Sequence, residues 1–188
     1  MSTPKLTTIS FVILGLIGLR GPSTPYDLER ATSRSIGYFW PFPRAQLYSE
    51  PKRLVESGLL DVSIEEGGRR RQTFSLTDLG RRFLDEWLSE SESEPMQIRD
   101  VAELKLFFSE LSSPENVRSL AEEQIKQHSE RLEIYRKMLH RYVGTEELKN
   151  RLIPLELGIR IEEAVTKFWS ELKDDPSWAG EHWTISHS

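Results

Sequence analysis

The sequence of 188 residues contains no cysteine, which excludes disulfide staples, thiolate metal sites and a thiol nucleophile. Its four histidines, His128, His140, His182 and His187, show no paired spacing suited to holding a metal ion. Neither a GxxxxGK[ST] phosphate cradle nor a GxSxG nucleophile elbow occurs. Glu65–Glu66, Glu146–Glu147 and Glu162–Glu163 are sequence neighbours, so members of each pair point apart rather than converge on a substrate. The apolar run Ile9 to Leu19 is shorter than the roughly 20 residues a bilayer requires, and no small-residue cleavage site follows it. These absences argue against an enzyme, a metal or other cofactor and a membrane partner, and they favour a cytoplasmic protein.

Positive charge is also scarce: the net charge is −5, so the chain is not a generally basic nucleic-acid binder. The charge is uneven, however. Residues 1–88 carry 12 lysines and arginines against 10 acidic residues, and the remainder 13 against 20. Any nucleic-acid contact is therefore expected in the N-terminal half.

The stretch from Phe39 to Leu76 reads as a helix followed by a β-wing. Between Arg44 and Ser57, Leu47, Leu54 and Val55 recur at the spacing of one helical face. At about 100° per residue, Ala45, Gln46, Ser49, Lys52, Arg53 and Glu56 fall opposite. Gln can pair with adenine, and Lys or Arg with guanine, in the major groove. Gln46, Ser49, Lys52 and Arg53 are thus candidate base and nearby phosphate contacts, and Arg44 and Tyr48 candidate backbone contacts. An ordinary solvated helix face is the competing reading. Pro51 removes a donor inside this helix and predicts a kink or break. Beyond Gly58, Leu60, Val62 and Ile64 alternate as in a half-buried strand, and Gln72, Phe74 and Leu76 form a weaker return strand. Between them Gly67 and Gly68 permit positive φ, and Arg69, Arg70 and Arg71 concentrate charge suited to phosphates or an A·T-rich minor groove. Arginines that merely deter edge pairing are the alternative.

Here the residues carry a family likeness. Leu14, Gly15 and Leu16, then Leu47, Tyr48, Lys52, Arg53, Leu54, Glu56, Gly58, Leu59, Gly67, Gly68, Arg69, Arg71, Leu76, Thr77, Gly80 and Arg81 resemble the winged-helix signature of PadR transcriptional regulators, over roughly the first 88 residues. RDVAELKLFF and LELGIRIEEAVTKFW resemble the longer PadR branch, which has a C-terminal helical domain of the virulence-activator type. The resemblance implies a winged helix-turn-helix repressor, usually a homodimer, that binds palindromic operators and is often released by a small effector. Two positions depart from the family pattern. Thr24-Pro25-Tyr26-Asp27 stands where a Gly and Tyr commonly precede the acidic residue, and Gln72 where a basic residue is usual.

The rest of the chain completes the expected architecture, mainly α with a small β-wing. A first helix spans Leu6 to Leu19, and a second, capped by Thr24 with Asp27 at N3, reaches about Thr32. Tyr38, Phe39 and Trp40 are expected to form a packing plug. A fourth helix, Asp78 to Leu88, presents Phe83, Leu84, Trp87 and Leu88. Domain boundaries follow: 1–88 winged helix-turn-helix, 89–95 acidic linker, 96–173 helical dimerisation domain and 174–188 tail, where Trp178 and Trp183 fray or dock. In the second domain a helix from Met96 to Leu111 is expected to bury Leu104, Phe107, Phe108 and Leu111. A long helix then runs from Pro114 to Tyr142, and a last one from Glu146 to Lys173 bends at Pro154. Ala121, Ile125, His128, Leu132, Tyr135, Leu139 and Tyr142 form a coiled-coil seam whose partner is either the last helix or a second subunit. Ile125, His128, Leu132, Tyr135, Leu139, Leu155 and Ile159 are the expected dimerisation residues. Trp87, Phe107, Phe108, Tyr135 and Trp169 either line an effector pocket or pack the core.

The leading reading is a homodimeric DNA-binding repressor of an inverted repeat, with a possible small-molecule effector. The alternative is a small-molecule sensor or protein-interaction module whose winged helix does not read DNA.

Overall fold

A computed structural model describes residues 5–66 and 70–176, which form two compact units divided after Pro95. Gly67, Gly68 and Arg69 of the wing, and the tail with His182, His187, Trp178 and Trp183, lie outside the described residues.

The first unit runs α1 (Thr8–Arg20), α2 (Pro25–Thr32), α3 (Gln46–Glu56), β1 (Leu60–Ile64), β2 (Gln72–Leu76) and α4 (Asp78–Ser89). Helix α1 is apolar on several sides because it packs against α2, α3, α4 and β2 at once. Ile13, Leu14, Leu16 and Ile17 meet Leu28, Leu47, Leu54, Leu59, Leu60 and Phe74 in one core. Thr24 caps α2 as expected: its Oγ1 accepts the Asp27 N–H, and the Asp27 carboxylate accepts the Thr24 N–H and hydroxyl. Trp87 of α4 stacks flat on Phe11 of α1, ring centroids 4.7 Å apart.

The two strands pair antiparallel, Leu60 opposite Leu76 and Val62 opposite Phe74. The sequence did not reveal a third partner, Ser23, which exchanges two backbone hydrogen bonds with Phe74, each 2.9 Å. The expected half-buried β1 needs correction. Only Leu60 is buried, while Val62 and Ile64 are exposed, because β1 joins the core of this unit at Leu60 alone. Tyr38, Phe39 and Trp40 are likewise no plug: all three are exposed on the connection before α3.

The second unit holds α5 (Val101–Phe107), α6 (Pro114–Tyr142) and α7 (Lys149–Asp174). Ser113 caps α6 by accepting the Asn116 N–H, and Gly144, at φ +85°, turns the chain after the helix ends. Helices α6 and α7 pair antiparallel along their length, so the seam closes within one chain. Ala121 joins Ala102, Val117, Trp169 and Leu172 in one apolar cluster, with Ile125 at its edge. Leu132, Tyr135 and Ile159, flanked by Leu139 and Leu155, form another. At Gly158 an added Cβ would lie 2.9 Å from the Tyr135 ring, so the helices are in close contact there. Between the clusters the buried Glu162 carboxylate contacts His128 Nδ1 at 2.5 Å and accepts Arg131 Nη1 at 3.2 Å. Helix α7 continues unbroken through Pro154.

Ile125, Leu132, Tyr135, Leu139, Leu155 and Ile159 pack, and His128 meets Glu162, within the hairpin, so the last helix is a partner of the seam. One expectation fails here. Helix α5 is only seven residues long and buries Ala102 alone, leaving Leu104, Phe107, Phe108 and Leu111 exposed, the last at 88%. A two-helix hairpin offers one groove; Ala102 and Leu106 pack into it, and the other apolar side chains of this segment find no further element among the described residues.

Candidate nucleic-acid interface

Helix α3 turns Leu47, Pro51 and Leu54 inward at i, i+4 and i+7. Pro51 does not break it. The ring lies buried between two core leucines, so the missing bond to the Leu47 carbonyl is offset by apolar burial, of order 25 cal/mol per Å². The opposite side carries Gln46, Ser49 and Lys52, all exposed. Gln46 and Lys52 make no side-chain hydrogen bond among the described residues, whereas Ser49 Oγ donates to the Ala45 carbonyl at 3.2 Å.

Arg53 is placed differently from the sequence expectation. Its guanidinium turns toward α1 and donates to Glu50, to Ser10 Oγ at 3.0 Å and to the Lys5 carbonyl at 3.1 Å. Ser10, fully buried, donates in turn to Glu50 at 2.6 Å. Arg53 thus docks α3 onto α1 instead of facing outward. Burial pushes the Glu50 carboxyl up, but the hydrogen bonds from Arg53 and Ser10 and the Arg53 charge outweigh it and leave it below its ordinary value. Such a group stabilises the fold above its unfolded value, near 4.3 for Glu, and that contribution disappears as pH falls through the lower folded value. Glu50→Gln is therefore expected to cost about 1–3 kcal/mol at neutral pH, with a smaller gap in acid. Urea melts of both chains at pH 7 and about pH 3 check this, and an equal gap at both would show that the ion pair contributes nothing to stability.

Around α3, three segments share one surface. An open depression of about 420 Å³ is lined by Thr24, Tyr26 and Asp27 of the α2 start, Tyr48 of α3, and Arg71 and Gln72 of the wing. Tyr26 is exposed there. Glu29 of α2 accepts Arg44 Nη2 on one oxygen and the Tyr48 hydroxyl, at 2.8 Å, on the other. The bond to Glu29 pushes the Tyr48 hydroxyl above its ordinary value, so it stays a donor. Arg71 lies 3.5 Å from Asp27. Hydrogen bonds from Thr24 hold the Asp27 carboxyl below its ordinary value, with Arg71 adding to the effect and burial opposing it. Arg70 adopts φ +46° just before β2. Arg69 falls outside the described residues.

Known proteins resemble this chain in sequence and fold. Residues 13–86 match the model of the transcriptional regulator PadR-like family, and residues 98–174 that of the virulence activator alpha C-terminal family. The chain carries a PadR-like domain followed by a virulence activator alpha C-terminal domain. The negative transcriptional regulator PadR of Bacillus subtilis is 26% identical over 129 residues, covering 68% of this chain and 70% of that protein. The crystal structure of Bacillus subtilis PadR in complex with operator DNA superposes with a TM-score of 0.81, covering 89% of this chain and 98% of that one at 20% identity. The structure of the same protein with p-coumaric acid gives 0.76, 89% and 98% coverage and 21% identity. At that identity the likeness speaks for the fold.

The aromatic residues expected to line an effector pocket or pack a core each have their own neighbours within their unit. Trp169 sits in one cluster of the hairpin beside Phe168, and Tyr135 in the other. Trp87 is stacked on Phe11. Phe107 and Phe108, edge to face at 5.1 Å, are exposed. Core packing accounts for the buried pair. Sequence reading missed Glu29 and Tyr26 at the interface and Glu162 in the hairpin. Glu29 meets its partners 15 and 19 residues away, and no local pattern signals that. No helix among the described residues is long and apolar enough to cross a membrane.

Proposed function

We propose that this PadR-like chain is a cytoplasmic homodimer that binds an inverted repeat in duplex DNA, represses transcription and is released by a small organic effector. The observation that carries the DNA reading is the outward row Gln46, Ser49 and Lys52, exposed on the helix whose Tyr48 shares a depression with the α2 start and Arg71. Its fold, shared with a PadR bound to operator DNA, supports the same reading. Arg44 and Tyr48 flank the row at the helix start and suit phosphate contacts, and Arg69, Arg70 and Arg71 suit the wing. Two copies of α3 related by a twofold axis would enter successive major grooves about 34 Å apart.

Dimerisation falls to apolar residues the hairpin leaves uncovered. Ile153, Leu157 and Ile161 make an exposed stripe at i, i+4 and i+8 on α7, and Val101, Leu104 and Phe107 another on α5. A second copy of the chain covers such surface by self-complementarity. Repression and release are proposed from the Bacillus subtilis relative, named a negative regulator and crystallised with p-coumaric acid. Phe108, outside that stripe, remains exposed to meet a ligand. The competing reading, a sensor or interaction module without DNA recognition, draws on Asp27 and Glu29, which already hold Arg71, Arg44 and Tyr48.

Gel-shift titration on DNA flanking the gene separates the two. The expected result is saturable binding that unrelated competitor DNA does not abolish. Replacing Arg69, Arg70 and Arg71 together by Ala should weaken binding and flatten the dependence of log K on log salt by up to about 0.9 for each phosphate no longer neutralised. An unchanged slope excludes the wing from phosphate binding, and absence of any binding at moderate salt favours the competing reading.

A further inference from the structure

We propose that Glu29 is an intramolecular competitor for the DNA backbone, occupying Arg44 and Tyr48 in the free protein and lowering affinity for every duplex, specific or not. The inference rests on the reading of α3 as the DNA-facing helix. Both oxygens of one carboxylate are used, one by the Arg44 guanidinium and one by the Tyr48 hydroxyl. The Glu29 side chain is only 19% exposed, whereas that of Arg44 is 78% exposed. The anion is therefore set into the surface and the cation lies over it, open to an approaching ligand.

A phosphate presents the same acceptor chemistry as this carboxylate, so Arg44 and Tyr48 are already spaced to receive an oxyanion. To bind them, the DNA backbone must displace Glu29 or approach against its charge. Nearby, Asp27 holds Arg71 by a longer contact while committed to the α2 cap. Two carboxylates on one short helix thus oppose the wing and the start of α3 together. Their effect is on backbone contacts, which carry no sequence information. Gln46 and Lys52, which face bases in this reading, have no such partner among the described residues. The competitor therefore lowers operator and unrelated affinity alike, and reduces the fraction of the protein held at unrelated sites.

The test is Glu29→Gln, which keeps the shape and removes the charge, measured by fluorescence anisotropy on the operator and on an unrelated duplex across a salt series. Expected are tighter binding to both duplexes, about three- to fivefold near 0.1 M salt, and a steeper salt dependence, by up to about 0.9 in slope. In the wild type the released counterions are partly replaced by those that the freed Glu29 gathers. Glu86→Gln on α4, whose carboxylate makes no ion pair among the described residues, controls for net charge and should change affinity less than about twofold. Equal gains from both variants, or no gain and no change of slope from Glu29→Gln, would overturn the role while leaving the DNA reading intact. If wild type and Glu29→Gln both fail to bind any duplex, the DNA reading falls and the role with it.

Discussion

Gly80→Ala is expected to unfold the first unit at a markedly lower temperature, although Ala is the better helix former. Gly80 lies in the first turn of α4, where an added Cβ would come within 2.1 Å of the Leu59 carbonyl oxygen and 3.0 Å of the Leu76 side chain. The obstacle is backbone, held beneath the helix by the Thr77 N–H and flanked by the bond from Thr77 Oγ1 to the Gly58 carbonyl. Relieving it requires α4 to move by about 1 Å from the turn before β1, and overpacking of this kind costs about 3 kcal/mol or more. The propensity gain of Ala over Gly returns only about 1 kcal/mol, so the clash decides the sign. A net loss of about 2 kcal/mol should lower Tm by roughly 8–16 °C for a unit of this size. Calorimetry should locate the shift in the transition of the first unit. Gly15→Ala is the paired control: nothing lies within 4 Å of a Cβ at that helical position, so it should gain up to about 1 kcal/mol. Equal stability of the two variants would contradict the tight approach at Gly80.

Leu157→Glu is expected to convert the proposed dimer to monomer and reduce operator affinity at least about 100-fold, because two linked half-sites bind far more tightly than one. Leu157 is 58% exposed at the centre of the α7 stripe, so the isolated hairpin should tolerate the charge. Against a second copy the carboxylate would be desolvated without a partner, which costs several kcal/mol. Sedimentation measures the oligomeric state, and the melting temperature of the monomer reports whether its fold is intact. A variant that remains dimeric with undiminished DNA binding would place the subunit interface elsewhere.

Features governed by neighbouring residues were legible in the sequence. Thr24, Pro25 and Asp27 announce a helix start because cap and capped N–H lie within three residues, and the structure forms those bonds. The wing strands followed from alternation, yet alternation does not say how far along the ribbon the core reaches; Phe74 is buried and its cross-strand partner Val62 is not. At Pro51 the local rule yielded to tertiary context, since the ring fills a core position between Leu47 and Leu54. Lys52 and Arg53 are adjacent and chemically alike, but about 100° of helix rotation separates them. One stays in solvent and the other meets Ser10, 43 residues away. The single-residue pairing of Ser23 with Phe74 has no pattern to read. In the seam, the heptad spacing was legible but the identity of its partner was not, because an apolar stripe specifies burial without saying against which helix.

The buried acid between α6 and α7 has a consequence for how the hairpin assembles. Two long helices with repeating apolar stripes have rival alignments, displaced by one heptad, that bury nearly as much oil-like surface. In each of them Glu162 slides away from His128 and Arg131 and enters a layer of α6 built around Ala121 or Tyr135, where a lone carboxylate is prohibitively unstable. The pair of helices consequently has one permitted offset, chosen by a single charged side chain rather than by the sum of its greasy ones.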